Sequence, residues 1–152
     1  VLLQIRTRFE KCLEVALPEF KRFNARVTRI NIDELPCVDL YFHRDCLVEN
    51  QNYYEQREAL FEIELCFSAK SDAESELAEI RRRIEWEVEN DKDLENMVVD
   101  WLLKEVDFAH EMVGNRRVAA LAMTYSIVYQ KPRRLPPDFK ARTLQVNGEI
   151  LE

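Results

Sequence analysis

REALFEIELCFSAKSDAESELAEIRRRIEWEVEN, residues 57–90, carries two periodicities back to back. Phe61, Ile63, Leu65 and Phe67 alternate with Glu62, Glu64 and Cys66, the period of two expected of a half-buried strand. Ala73, Leu77, Ile80, Ile84 and Val88 then step by three or four, so they share one helical face. Ser71 stands three residues before Glu74, the spacing of a capping box, and is expected to open that helix. A strand joined this closely to a helix buries both apolar faces in one core.

Toward the N-terminus, Leu2, Ile5, Phe9, Cys12, Leu13 and Ala16 keep helical spacing, and Pro18 predicts an end near Ala16. Phe20 and Phe23 are expected to pin the connection. Ala25 to Ile32 reads as a strand rich in β-branched residues, followed by a turn over Asp33-Glu34-Leu35-Pro36. Cys37 to His43 alternates again, with Val38, Leu40 and Phe42 on one face and Asp39, Tyr41 and His43 on the other. Arg44 to Gln56 is polar and reads as a long exposed loop, with Asn50, Asn52, Tyr53 and Tyr54 as candidate partner contacts.

Beyond Asn90, the residues Leu94, Met97, Val98, Trp101 and Leu102 suggest a second helix after a break at Asp91 to Asp93. Val106 to Met112 favours a strand, Val113-Gly114-Asn115-Arg116 a turn, and Arg117 to Gln130 a long strand with Leu121, Met123, Tyr125, Ile127 and Tyr129 on one face. Lys131 to Pro137 is expected to break regular structure, and Asn147-Gly148 suggests a small hairpin in the tail. The order α-β-β-β-α-α-β-β predicts an α+β fold: a mixed, largely antiparallel sheet with helices packed on one face. One domain over residues 1–130 and a basic, proline-rich extension over residues 131–152 are expected. The far sheet face then carries Asp39, Tyr41, Glu62, Glu64, Thr124 and Ser126, a surface left for water or a partner.

The 152 residues suit one domain, and 47% hydrophobic against 34% charged residues is the balance of a compact domain. The longest apolar run, Val118 to Met123, is far short of the roughly 20 residues that span a bilayer, so no membrane partner is expected. Arg6, Arg8 and Lys11 interrupt any secretory signal core, and Val1 in place of methionine suggests a trimmed N-terminus. The net charge of −7 is unevenly spread: residues 1–29 hold seven Lys/Arg against three Asp/Glu, residues 33–111 hold eight against 23, and residues 131–152 hold five against three. Basic ends and an acidic middle suit head-to-tail association, and the acidic middle argues against tight nucleic-acid binding.

No catalytic signature stands out. Cys12, Cys37, Cys46 and Cys66 form no C-x-x-C pair and, with only His43 and His110 beside them, make no zinc pattern. They read as reduced packing residues of a cytosolic protein. Neither Cys37 nor Cys46 has anything to activate it beside His43. Asp39, Glu62 and Glu64 on neighbouring strands suggest a Mg²⁺-dependent hydrolase, but Glu64 stands where a Glu-x-Lys pair needs lysine. Alternating glutamates otherwise face solvent or another subunit's arginine. No cofactor is expected.

A basic helix, then DELPCVDLY over 33–41, ALFEIELCFSA over 59–69, ESEL over 74–77 and MTYSIVY over 123–129, resembles the minor tail protein U family, the tail terminators of lambda-like long-tailed phages. The resemblance runs through residues 2–130 and leaves the tail unexplained. It implies a non-enzymatic subunit of a six-membered ring that caps the tail tube, stops its polymerisation and joins the head-completion protein. DNA would pass the ring without tight binding. It also implies a place at the head-proximal end of the virion tail, after assembly in the bacterial cytoplasm. The interface candidates are Arg6, Arg8, Lys11, Asp39, Glu62, Glu64, Arg133 and Arg134. Another neck or head–tail joining protein is the rival reading.

Overall fold

The computed structural model describes residues 1–24, 32–70 and 72–133. Helix α1 (Leu2–Ala16) leads to a short strand β1 (Lys21–Asn24), and a 3-10 turn (Ile32–Glu34) precedes β2 (Cys37–Asn50). Then come β3 (Tyr54–Ser68), α2 (Ala73–Glu89), α3 (Lys92–Met97), β4 (Asp100–Val113) and β5 (Arg116–Pro132). The five strands form one sheet in the order β1-β2-β3-β5-β4. Among the described residues only β1 and β2 run parallel; the other neighbours are antiparallel. The fold is α+β, as the strand and helix periods predict.

The alternation of β3 becomes an inside and an outside: Ala59, Phe61, Ile63, Leu65 and Phe67 are buried on the face that meets the helices. Ala73, Leu77, Ile80, Ile84 and Val88 of α2 meet them, and Ile5, Phe9, Cys12, Leu13 and Ala16 of α1 complete the layer. Phe9 stacks on Phe61 with ring centroids 5.3 Å apart and meets Tyr125 edge-on at 5.6 Å. Phe20 seals one end against Phe67, with centroids 6.5 Å apart.

Four sequence expectations need correction. The helix cap is Asp72, whose carboxylate accepts the Ser75 N–H at 3.2 Å; Ser71 itself lies outside the described residues. Arg44 to Gln56 is no loop: β2 and β3 pair out to Asn50 and Glu55, and only Gln51 to Tyr53 turns the chain. Bulges at Phe42/Arg44 and Leu47/Glu49 break the period of two, and both faces here meet water, so the stretch is polar without alternation. The helix expected through Leu102 stops at Met97, because Val98 turns extended and the Val99 N–H bonds the Val128 carbonyl at 2.8 Å. The break expected at Lys131 comes later, since Lys131 and Pro132 still pair with Glu55 and Tyr54. There the β4 ladder has already ended, so among the described residues β5 has one neighbour, a position where a strand tolerates proline. Of the strand expected at Ala25 to Ile32, residues 25–31 lie outside the described residues and Ile32 opens the 3-10 turn instead; the hairpin expected at Asn147-Gly148 also lies outside them.

Candidate assembly surface

The helices cover one sheet face, and the register sets what the other presents. One row across the sheet reads Asp39, Glu64, Ala122, Asp107; the next reads Tyr41, Glu62, Thr124, Glu105. Carboxylates of β3 and β4 thus flank the small side chains of β5. Asp39 is buried at the β2 side, and the Tyr41 hydroxyl donates to the Glu64 carboxylate while His43 pairs with Glu62. Burial, with Glu64 and Glu62 beside it, pushes the Tyr41 hydroxyl well above the ordinary tyrosine range. At pH 7 it is a neutral donor that holds one glutamate in place. The Lys104 ammonium reaches Glu58 at 3.9 Å.

Asp39, Glu62 and Glu64 therefore come together as the sequence suggests. The candidate cations do not join them. Arg6 donates to the Leu40 carbonyl at 2.9 Å, pairs with Glu10 at 3.3 Å and lies over the Phe42 ring at 5.3 Å. It binds β2 at Leu40, the residue that pairs with Asn24 of β1. Arg8 grips Asp91 at 2.7 Å and reaches Asp93 at 3.2 Å, tying α1 to the start of α3. Lys11 is exposed. Arg133 is exposed beside the hairpin tip, its N–H bonded to the Tyr53 carbonyl at 3.0 Å, and Arg134 lies outside the described residues.

Asn50 and Tyr54 flank that tip and Asn52 lies in it, with Tyr53 70% exposed. The arm beneath has its own network. Arg57 pairs with Asp45 and Glu55, each at 3.0 Å, and the Tyr129 hydroxyl donates to Asp45 at 2.9 Å. Burial first, and then the bond to Asp45, pushes the Tyr129 hydroxyl up to about 12.

Sequence reasoning did not single out the outer edge of β4. Glu105, Asp107 and Glu111 are exposed there, next to Leu102, Phe108 and Met112, which are 58%, 51% and 62% exposed. Their alternation with Val106, Phe108 and His110 is the signal that marks them. Among the described residues no three His, Cys, Asp or Glu are arranged to hold a metal ion, and no helix is long and apolar enough to cross a membrane.

No family model and no curated protein matches the chain. Among solved structures it is similar to the type 4 fimbrial biogenesis protein PilO from Pseudomonas aeruginosa, at 10% identity and a TM-score of 0.37, over 86% of this chain and 70% of that one. Likeness at this level carries no functional argument.

Proposed function

We propose that the chain is a structural subunit that closes into a ring on the end of a phage tail tube, stops its growth and offers a face to the head. The observation that carries this reading is an acidic sheet face and a long sheet edge that the described chain leaves uncovered, on an element order like that of the tail terminators. Heterologous contacts close into rings when the rotation permits, and opposed charge fixes their register. An acidic lumen repels phosphate, so DNA slides rather than binds. The subunit acts in the virion, at the head-proximal end of the tail, and carries no enzymatic activity.

Adding the protein to polymerising tube subunits tests this directly. Arrest of elongation at substoichiometric amounts is the expected result, with light scattering giving a closed oligomer that salt loosens. Tubes that grow to unregulated length in its presence rule out termination, and then a neck or joining role, which needs the same surfaces but no arrest, takes its place. The Mg²⁺-hydrolase reading gains nothing from the geometry, since Glu62 and Glu64 are engaged by His43 and Tyr41.

A further inference from the structure

Antiparallel pairing sets two cysteines opposite each other. Cys37, the first residue of β2, pairs with Cys66 near the end of β3. Leu65 and Phe67 point into the core, so Cys66 between them points to the far sheet face, and its cross-strand partner shares that face. The row continues through Ala120 of β5, half-buried, and Ala109 of β4, exposed. Cys37 is buried, whereas Cys66 is half-buried, so among the described residues a small reagent meets the Cys66 sulfur first.

The spacing suits a bond between them. Directly opposed residues of an antiparallel pair lie about 4.5–5.5 Å apart at Cα, inside the range of about 4.4–6.8 Å that a disulfide spans. Their Cβ atoms stand about 4.5–5.5 Å apart and a bridge needs about 3.5–4.5 Å, so an inward shift of about 1 Å closes it. Neither remaining cysteine has another opposite it. Cys12 lies in the helix layer, on the other side of the sheet, with its thiol bonded to Asp91. Cys46 pairs with Glu58, nine residues and so about 30 Å along β2 from Cys37.

We propose that Cys37 and Cys66 form a redox modification site, which a low-molecular-weight disulfide converts to a cross-strand disulfide stapling β2 to β3. The Cys66 thiol loses its proton and its sulfur attacks one sulfur of the reagent. A new S–S bond forms to Cys66, the reagent's own S–S bond breaks, and the expelled thiolate takes up a proton. Cys37 then loses its proton and attacks the Cys66 sulfur, expelling the second small thiolate, which is protonated in turn. Two protein thiols are oxidised, one reagent disulfide is reduced to two thiols, and no other reactant is needed. Burial first, and then Cys37, Glu64 and Glu111, pushes the Cys66 thiol up to about 11, so its thiolate is scarce near pH 7 and the first step is slow. The second joins residues that the register already opposes, so the mixed disulfide does not accumulate. The staple is independent of the ring reading, since both strands belong to one chain.

The test uses the full chain, folded and reduced, with C46S as its starting form because Cys46 is the other half-buried thiol. It is incubated with oxidised glutathione at pH 8, quenched in acid, unfolded, alkylated and mapped by peptide mass. Cys37 and Cys66 are expected to escape alkylation, joined to each other within one chain, and dithiothreitol to restore both. C46S/C37S should stop at a glutathione adduct on Cys66, at least about tenfold more abundant than when Cys37 is present. C46S/C66S should gain no glutathione on Cys37 while folded. A glutathione adduct that persists on Cys66 beside an intact Cys37 overturns the inference. So does full alkylation of both cysteines, or a link between two chains in place of the link within one.

Discussion

Asp91 ties α1 to α3 through three partners: its carboxylate accepts from Arg8, from the Cys12 thiol at 3.0 Å and, as the cap of α3, from the Leu94 N–H at 2.9 Å. Burial alone would raise its carboxyl pKa, but the Cys12, Leu94 and Arg8 bonds together hold it below the ordinary range. Asp91→Ala removes a cap and leaves the Arg8 guanidinium to Asp93 alone, a loss of about 2–3 kcal/mol measurable by urea unfolding. Its folded pKa is depressed, so the stabilisation is complete above the unfolded value of about 3.9 and is lost as pH falls through the folded value. Asp91→Asn should therefore flatten the acid limb of the stability profile; an unchanged limb would place the acid sensitivity elsewhere. The same site silences a cysteine: burial, then the bond to Asp91, pushes the Cys12 thiol far up, and burial beside Cys37 pushes Cys66 up to about 11. With a thiol reagent at pH 8, Cys46 is expected to react first, and Cys12 and Cys37 only on unfolding. Arg8 shows what sequence could not convey at this scale. In an isolated helix it is an outward cation, and its partner is 83 residues away.

Among the elements, the β2–β3 arm depends on polar bonds where the core depends on apolar contact. Tyr129 is 1% exposed at the arm's root, and Tyr129→Phe leaves Asp45 to Arg57 alone, a loss of about 1 kcal/mol. Hydrogen exchange should show it as faster opening of residues 44–57 with α1 and α2 unaffected; a uniform change would make arm and core one cooperative unit. The β3–α2 pair was legible almost residue by residue, because each alternates or steps against one apolar partner. The arm was not. Strands with water on both faces have no reason to alternate, and two bulges shift what period remains. The Val98–Leu102 stretch failed for the opposite reason: Val98 and Trp101 do pack on the core, and their helical spacing fits a helix end as well as a strand start.

At the scale of the whole molecule, Phe9 holds the helix layer to the sheet through Phe61 and Tyr125, and Phe9→Ala should cost about 3–5 kcal/mol in thermal or denaturant unfolding. Fold class followed from element order and apolar period alone. The candidate surface was half legible: Asp39, Glu62 and Glu64 share a face as alternation requires, whereas the fate of Arg6 and Arg8 depended on distant partners. One consequence follows from the lengths of the parts. The 15 residues of β3 extend about 50 Å, while the 17 of α2 rise only about 25 Å. Among the described residues the strands therefore run on past the helix layer, like a lever clamped at its root. Among these residues, a force applied at Tyr53 reaches the helix layer through the paired strands β2 and β3.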